Sequence, residues 1–390
     1  MKRVITTEKI PLLLWLEQLE GEVLAQAQNL ANLPDAFHHV AIMADAHVGY
    51  GMPIGGVLAT TGVIIPNGVG VDIGCGMRAV RTGLTEVAPV LLKKILSGLR
   101  AAIPLGFKHH DQPRPARAMP AFEGLERELP VVAAEFESAR TQIGTLGGGN
   151  HFIEMQRGSD NRIWLMVHSG SRNLGFKVAE FYNGLAVKLA KTTGKEAIPK
   201  EWRLATLPLA SIEGQRYLRE MEYCVAFARA NRREMMTVFQ EVVADITGCD
   251  EFEEPLDIAH NYAAREFHFG REVWVHRKGA TRAFAGEFGI IPGSQGSYSY
   301  IVRGLGNPRS FMSCSHGAGR ILGRKEAQRV LNLREEIAKL DARHIVHALR
   351  GRSDLEEAPG AYKDIGEVIA NQHDLIEVAV ELQPLAVLKG

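Results

Sequence analysis

A carboxylate and a thiol lie three positions apart in residues 71–77 (VDIGCGM), where Asp72 is followed by Cys75. Glycine lets the backbone turn tightly, so that both side chains can face one point. Carboxylates and thiolates both bind divalent metal ions. When such a pair stands alone, an acidic turn beside a buried structural cysteine is the simpler explanation.

Histidine stands beside glycine, asparagine or arginine in four other segments, and these make a metal site the better interpretation. There the backbone can approach a ligand closely, and short polar side chains can orient an imidazole. With Asp72 and Cys75, these segments offer one Asp, one Cys and three or four His for one or two divalent ions, and a thiolate can bridge two such ions. The segments are 144–151 (GTLGGGNH), 167–172 (VHSGSR), 260–262 (HNY) and 315–320 (SHGAGR).

In their order along the chain, these segments resemble the RtcB family of RNA-splicing ligases, which join RNA ends using GTP and manganese. Several separate matches in one order are more specific than any single match. Ala44 replaces the family's usual proline, and the chain is at the shorter end of the family, which leaves RNA preference open. The resemblance also includes 44–51 (ADAHVGYG), 54–56 (IGG), 361–364 (AYKD) and the terminal Lys389-Gly390.

The resemblance implies two manganese ions and a histidine nucleophile. A thiolate with imidazoles would also suit zinc, so the choice of manganese rests on the resemblance. His316 has no nearby carboxylate in the sequence, and a neutral imidazole nitrogen can attack an α-phosphate. The family match makes His316 the guanylylated residue and Cys75 the bridging ligand. The implied metal ligands are Asp72, Cys75, His151, His168 and His260.

The resemblance further implies contacts to GTP and to RNA phosphates. Without it, the arginines and lysines would be solvated surface charges and Glu154 an ordinary strand residue. If the segment after Gly319 is helical, Arg320 and Arg324 lie one turn apart on one face and reach one phosphate. The implied GTP-binding residues are Asn150, Glu154, Asn261, Ser294, Tyr362 and Lys389, and the implied RNA or phosphate contacts are Arg172, Lys278, Arg320 and Arg324.

Two familiar nucleotide motifs are absent from the sequence. There is no GxxxxGK[ST] phosphate loop and no lysine in a KxDG setting. Any nucleotide chemistry therefore needs a nucleophile other than the lysine of classical nucleotidyl-transferring ligases.

Composition indicates a soluble globular protein with no overall preference for nucleic acid. Of the 390 residues 46% are hydrophobic and 23% charged, with 45 basic and 45 acidic side chains. Any RNA contact must therefore come from a local basic patch. The candidates are Arg229, Arg232 and Arg233; Arg277, Lys278 and Arg282; and Arg320, Arg324 and Lys325.

Cysteine use and the N-terminus predict a cytoplasmic protein without membrane association. No CxxC pair occurs, which fits reduced thiols in the cytosol. The apolar stretch 11–16 is broken at Glu17 and is too short for a signal peptide or a membrane span. The four cysteines are Cys75, Cys224, Cys249 and Cys314.

Hydrophobic periodicity predicts the elements that must position these residues. Residues 12–31 show helical spacing, and residues 212–246 form the longest predicted helix, with Cys224 as a small buried hydrophobe. Pro-punctuated residues 108–120 predict an exposed loop in which His109 and His110 are solvated. Strands are predicted at 40–43, 57–59, 63–65, 163–167, which delivers His168, and 273–275, which leads to Arg277 and Lys278.

These patterns indicate an α/β or α+β fold with mixed sheets and many Gly-rich loops. The resemblance adds an RtcB-like architecture around a central metal cleft. We expect one domain over residues 1–390 with an inserted helical segment at about 211–248. The resemblance also implies a monomer and an archease-type activator as partner.

The resulting functional hypothesis is an RNA ligase acting in tRNA splicing or RNA repair. It would join 3′-phosphate or 2′,3′-cyclic phosphate ends to 5′-hydroxyl ends through a GMP–histidine intermediate and GMP transfer to the RNA 3′-phosphate. The alternative is a binuclear metal-dependent phosphoesterase with the same ligands. The SHGAGR segment and Lys389 favour the ligase, since hydrolysis needs neither a histidine nucleophile nor a nucleobase clamp. A non-catalytic RNA-binding or metal-storage protein is a third hypothesis, which the 7% aromatic content does not support.

Overall fold

The computed structural model describes residues 1–19, 21–192 and 198–390. Its strands are β1 (Arg3–Ile5), β2 (Leu12–Leu14), β3 (Ala36–His47), β4 (Ile54–Thr60), β5 (Val63–Ile64), β6 (Gly76–Arg81), β7 (Phe152–Gly158), β8 (Ile163–Ser169), β9 (Leu207–Pro208), β10 (Leu256–Ala259), β11 (Asn261–His268), β12 (Arg271–Lys278), β13 (Ala280–Arg282), β14 (Phe288–Ile291), β15 (Ser299–Gly304), β16 (Ser313–Ser315) and β17 (Ile376–Lys389). Its α-helices are α1 (Gly21–Ala31), α2 (Pro66–Val69), α3 (Pro89–Ala102), α4 (Pro130–Gln142), α5 (Arg172–Thr192), α6 (Ile212–Thr247), α7 (Arg324–Val330), α8 (Leu333–Asp341) and α9 (Ile365–Ala370).

Two large sheets organise these elements. The six-stranded sheet has the order β1-β2-β3-β4-β12-β11, and the seven-stranded sheet has the order β10-β6-β8-β7-β17-β15-β14. The first sheet is mixed because β2 and β3 are parallel, whereas neighbouring strands of the second sheet are antiparallel. This arrangement confirms the predicted α/β class with mixed sheets.

Strand register in the second sheet explains how predicted ligands that are far apart in sequence meet. Cys75 immediately precedes β6 and His151 immediately precedes β7, while His168 lies near the end of β8. Gly76 of β6 is paired with Ser169, and Phe152 of β7 with His168. Because antiparallel neighbours alternate direction, the start of one strand lies beside the end of the next. The four adjacent strands β10, β6, β8 and β7 therefore bring the ligand-bearing loops to one end of the sheet.

The predicted long helix is confirmed as α6, the longest in the described part of the chain. Its N-cap, Ser211, accepts a hydrogen bond from the Gly214 amide, and Gly248 ends the helix in the left-handed conformation with φ 76°. The helix packs against β6, β8, α3 and α5. Cys224 on its buried face is fully enclosed, as expected of a small core hydrophobe.

Other local predictions differ from the structure in part. The strands predicted at 40–43, 57–59, 163–167 and 273–275 are present. Residues 12–31 form strand β2 followed by α1, because the run Leu12–Leu14 is buried in the sheet, and periodicity cannot distinguish such short runs from helix. The strand predicted at 63–65 ends at Ile64, since Pro66 begins α2. His109 is exposed as predicted.

No helix in the described ranges is both long and apolar enough to cross a membrane.

Candidate active site

The five predicted metal ligands converge on one buried point. Cys75 Sγ lies 3.4 Å from His151 Nε2 and 3.3 Å from His168 Nε2, and His168 Nε2 lies 3.4 Å from His260 Nε2. Asp72 Oδ2 lies 3.1 Å from His151 Nε2. Two groups of potential ligand atoms result, one from Cys75, His168 and His260 and one from Asp72, Cys75 and His151, with all atoms of a group within 4.8 Å. Cys75 belongs to both groups, as a bridging ligand must.

Hydrogen bonds from Nδ1 to backbone carbonyls orient two of these imidazoles. His151 Nδ1 donates to the Leu146 carbonyl at 3.0 Å, and His168 Nδ1 donates to the Asn150 carbonyl at 3.0 Å. Carbonyls accept only, so this network assigns the proton to Nδ1 and leaves Nε2 with its lone pair. Each Nε2 faces the shared centre, which is the arrangement that metal-binding histidines adopt.

Burial shifts the pKa values of these side chains in ways that affect cation binding. It lowers the pKa of His168 and His260 well below the ordinary value, and neighbouring imidazoles add to the effect. Burial, with the nearby Asp72 carboxylate, raises the pKa of the Cys75 thiol well above its usual range. Neutral imidazoles are the ligand form, and a bound cation reverses the preference of the thiol by stabilising the thiolate.

His316 has a carboxylate partner that its own segment does not contain. Asp45, on β3, places Oδ2 2.7 Å from His316 Nδ1, and the same oxygen accepts from the backbone amides of His316 at 3.1 Å and Gly317 at 3.2 Å. Although burial alone would raise it, the charge and hydrogen bond of His316 hold the pKa of Asp45 below its usual value. The prediction that His316 has no nearby carboxylate is therefore wrong. The sequence does not show the partner, because Asp45 lies 271 positions from His316 along the chain.

The dyad of Asp45 and His316 lies next to the metal site in a closely packed frame. The His316 and His260 ring centroids are 4.8 Å apart. A Cβ at Gly279 would approach His316 Cε1 to 3.0 Å, and one at Gly319 would approach the Asp45 carbonyl oxygen to 2.1 Å. Both glycines also have positive φ. A larger residue at Gly279 would press on the imidazole, and one at Gly319 would press on the backbone of Asp45.

A cavity of about 830 Å³ opens beside His316. It brings together most of the predicted nucleotide and phosphate contacts, although these come from separate strands and loops. The volume is in the range of small-molecule sites. Its lining includes His168, His316, Asn150, Glu154, Ser294, Tyr362, Lys389, Arg320 and Arg324.

Glu154 presents a buried carboxyl group to this cavity. Gln156 Nε2 donates to Glu154 Oε2 at 2.7 Å, while Oε1 has no hydrogen-bond partner among the described residues. Burial raises the pKa of Glu154 to about 8, despite the charge of Lys389 and the hydrogen bond from Gln156. A carboxyl with an unused oxygen and a nearby ammonium can bind a base edge that carries both donors and an acceptor.

Glu357, which the sequence did not single out, organises the cations of the cavity. Its carboxylate oxygens lie 3.1 Å from Arg320 Nη1, 3.6 Å from Arg324 Nε and 3.7 Å from Lys389 Nζ. The carboxylate also accepts a hydrogen bond from the Tyr362 hydroxyl. The guanidinium of Arg320 also lies over the Tyr362 ring, 5.0 Å from its centroid. One nearly buried carboxylate therefore holds three cationic side chains beside the nucleotide cavity.

The segment after Gly319 is not helical, which corrects the conditional prediction for two arginines. Arg320 forms an isolated bridge with Tyr362, and α7 begins only at Arg324. Gly319 with φ 76° cannot continue a helix. The two guanidinium groups nevertheless meet, because both reach Glu357.

Three other predicted contacts lie outside the cavity lining. Asn261 Nδ2 donates to the Asp72 carbonyl and its Oδ1 accepts from the Gly279 amide. Lys278 Nζ donates to the carbonyls of Tyr50 at 2.7 Å and Asn67 at 3.0 Å, and burial lowers its pKa to about 7. Arg172 donates to Thr145 Oγ1 and the Gly106 carbonyl, against the loop that carries His151. Their direct contact with GTP or RNA stays a prediction.

Two of the three candidate basic patches are wrong in part, because each includes a buried arginine, whereas Arg229, Arg233 and Arg282 are exposed. Arg232 is 1% exposed and is paired with Asp257 at 2.6 Å. Arg277 is fully buried, with both guanidinium nitrogens on Glu266. Internal carboxylates, rather than solvent, balance these charges.

Comparisons with known proteins match this arrangement along nearly the whole chain. A family model described as tRNA-splicing ligase RtcB matches residues 26–127 and 123–390. The RNA-splicing ligase RtcB of Escherichia coli K12 is 38% identical over 412 aligned residues, which cover 99% of each chain. The tRNA-splicing ligase RtcB of Thermococcus kodakarensis is 35% identical over 95% of this chain and 92% of its own length, and that of Methanococcus maripaludis is 33% identical over 96% and 92%.

Proposed function

The chain belongs to the RtcB family of tRNA-splicing ligases, and from that premise we propose that it is an RNA ligase. It joins a 3′-phosphate or 2′,3′-cyclic phosphate end to a 5′-hydroxyl end, in tRNA splicing or RNA repair. The observation that carries this proposal is the dyad of Asp45 and His316, which lies 4.8 Å from the His260 ring and opens onto a nucleotide-sized cavity.

The donor set supports a binuclear divalent metal site. Asp72, Cys75 and His151 would hold one ion, and Cys75, His168 and His260 the other. Two Mn²⁺ ions bound there would polarise phosphoryl oxygens and offset the charge that develops on them. The pre-oriented Nε2 atoms and the doubly shared thiol are what such a pair of ions requires.

The geometry of His316 supports a nucleophilic role toward GTP. Asp45 accepts a hydrogen bond from Nδ1–H, so the lone pair of Nε2 is free to attack the α-phosphorus. A P–N bond forms, the bond from the α-phosphorus to the bridging oxygen breaks, and pyrophosphate leaves. The positive charge that develops on the imidazole is then balanced by the Asp45 carboxylate.

Nucleotide transfer to RNA completes the proposed reaction. Water first opens a 2′,3′-cyclic phosphate at the bond to O2′, which leaves a 3′-phosphate. An oxygen of that phosphate attacks the phosphorus of the histidine-bound GMP, and the P–N bond breaks. The 5′-hydroxyl then attacks the 3′-phosphate, loses its proton and releases GMP, leaving a 3′,5′-phosphodiester.

The cavity supports GTP as the nucleotide. Guanine offers two neighbouring N–H donors and one carbonyl acceptor. Glu154 in its ionised form can accept from the donors, and Lys389 can donate to the carbonyl. Arg324, whose side chain is about half exposed, has guanidinium donors free for phosphate oxygens. Arg320 and Tyr362 form the wall against which the nucleotide packs.

The phosphoesterase alternative is not favoured. It would use the metal ligands but would leave the Asp45–His316 dyad and the Glu154 carboxyl without a role. Three further proposals remain. A cytoplasmic location rests on the few cysteines without a CxxC pair, and a monomeric enzyme and an archease-type activator rest on family membership alone.

Ligation of a defined RNA tests the function. A 5′-labelled RNA with a 3′-phosphate and a second RNA with a 5′-hydroxyl should be joined by the protein in the presence of Mn²⁺ and GTP. The His316→Ala variant should not join them. Hydrolysis of the 3′-phosphate without joining, in wild type and variant alike, would support the phosphoesterase and contradict the ligase.

A further inference from the structure

Two adjacent polar residues, Asn231 and Arg232, lie fully buried halfway along α6. Their exposed fractions are 0% and 1%. Buried arginine and asparagine are rare in helices unless hydrogen bonds or ion pairs compensate the loss of water. The partners of these two side chains lie in the loops that carry the proposed metal ligands.

Asn231 joins the loop that carries His151 to the segment that follows His168. Its Oδ1 accepts from the Gly144 amide at 2.7 Å and the Thr145 amide at 3.1 Å. Its Nδ2 lies within 3.2 Å of the Thr145 carbonyl and within 3.1 Å of Ser169 Oγ and the Gly170 carbonyl. One amide side chain therefore contacts both loops, in addition to the Ser169 Oγ hydrogen bond to the Leu146 carbonyl and the pairing of Phe152 with His168.

Arg232 joins three further points around the same centre. Its Nη1 donates to the Gly74 carbonyl at 2.8 Å, between Asp72 and Cys75, and to the Ser169 carbonyl at 3.0 Å. Its Nη2 donates to Asp257 Oδ1 at 2.6 Å, three residues before His260. The planar guanidinium directs Nη1 toward the two carbonyls and Nη2 toward Asp257 at a fixed separation, which a single ammonium nitrogen cannot do.

We infer that Asn231 and Arg232 are positioning residues that hold the ligand-bearing segments at the spacing required for metal binding. Between them they contact the segments of all five proposed ligands and none of the ligand side chains. The inference rests on the metal site of the proposed function, but it concerns metal affinity rather than ligation.

The variants Arg232→Lys and Asn231→Ser test this role. Lysine keeps a positive charge but has one nitrogen, so it cannot reach the carbonyls of Gly74 and Ser169 and the Asp257 carboxylate with the two-nitrogen geometry of arginine. Serine keeps a small polar group but cannot span two loops. Loss of a residue that orients ligands typically weakens metal binding about 10- to 100-fold, so we expect the Mn²⁺ dissociation constant to rise by that factor.

Glu220→Gln is the matched control. Glu220 is also a fully buried polar residue of α6, but its Oε1 accepts from the amides of Val131 and Val132 at the start of α4. This variant should change the thermal stability of the metal-free protein without changing its affinity for Mn²⁺.

The measurement is Mn²⁺ binding, followed by the electron paramagnetic resonance signal of the free ion, together with the Co²⁺–thiolate absorption band of Cys75. Weaker binding and an altered band in Arg232→Lys, with both unchanged in Glu220→Gln, support the inference. Wild-type affinity in folded Arg232→Lys and Asn231→Ser overturns it. Loss of cooperative folding in metal-free Arg232→Lys also counts against it, because the residue would then serve the fold rather than the site.

A wild-type protein that binds Mn²⁺ but joins no RNA would contradict the proposed function and leave this inference standing.

Discussion

At the scale of single residues, the proposed chemistry depends on which nitrogen of His316 carries the proton. Asp45 Oδ2 accepts from Nδ1 at 2.7 Å and from two backbone amides, so the carboxylate is held in one orientation. That contact assigns a proton to Nδ1, so Nε2 is the ring nitrogen available for attack. The reactivity of the histidine is therefore set by a residue on another strand.

The variant Asp45→Asn tests this dependence. The amide keeps the size of the side chain but removes the charge that stabilises the developing imidazolium. We expect the rate of GMP transfer to His316 to fall by about 10²- to 10⁴-fold, the usual contribution of a positioned acid or base. The initial rate of covalent labelling from α-labelled GTP measures it, and a wild-type rate would show that Asp45 has no part in activation.

Glu154 leads to a prediction about pH. Its pKa is raised to about 8 in the folded protein, against an ordinary value of 4.5. The folded state therefore keeps a proton that the unfolded chain has already lost, and stability falls as the pH rises from about 4.5 to about 8. In Glu154→Gln this contribution is absent, so the free energy of unfolding of wild type minus that of the variant should decrease across this window. Chemical denaturation of both proteins at several pH values measures the difference, and a constant difference would contradict the burial of an ionisable group.

At the scale of elements, strand ends and the loops between them build the site. β6, β7, β8 and β10 are adjacent, and each begins or ends next to a ligand. The sequence predicted a site residue at a strand end where an apolar run is followed by a polar residue, as at His168 after residues 163–167. It could not predict that Asp45 meets His316, because a side-chain contact between segments 271 positions apart leaves no periodic signal in either segment.

The absence of a local signal for tertiary contacts also explains why the helix predicted after Gly319 is wrong. A helix was a reasonable expectation after the glycines, but the left-handed Gly319 and the bridge to Tyr362 delay α7 until Arg324. Glu357 was missed because its role comes from the Arg352–Glu357 turn packing beside this loop. The proposed metal ligands could be named from the sequence because each lies in a recognisable motif, whereas the groups that contact them are defined by tertiary contacts.

The two arginines beside Glu357 should respond differently to substitution. Arg320 is mostly buried, so Arg320→Ala leaves the Glu357 carboxylate less well paired and should lower the free energy of unfolding by on the order of 3 kcal/mol. Arg324→Ala should leave stability nearly unchanged, because its side chain is half exposed, and should reduce ligation. Thermal unfolding and ligation rates of both variants test this, with Arg324→Lys as a check on bidentate contact. Equal stability losses, or wild-type ligation by Arg324→Ala, would contradict the assignment.

At the scale of the whole molecule, metal binding should stabilise the fold, since ligands from both halves of the chain meet at one centre. An ion that binds only the folded state raises stability by RT ln(1 + [L]/Kd), about 2.7 kcal/mol at a hundredfold excess over Kd. Mn²⁺ should therefore raise the melting temperature of wild type. Cys75→Ala should lose most of this shift and bind less manganese, whereas Cys224→Ala, which removes a buried thiol from the core of α6, should retain both. An equal shift in Cys75→Ala would contradict a bridging role for the thiol.

The most direct test of the central claim is covalent labelling of the nucleophile. Incubation with Mn²⁺ and α-labelled GTP should leave GMP on His316, in a bond that is labile in acid and stable in alkali, as expected of a phosphoramidate. His316→Ala should lose the label but still seal an RNA supplied with a 3′-guanylylated end, because that last step does not need the imidazole. Labelling retained in His316→Ala, or labelling by ATP in preference to GTP, would contradict the account.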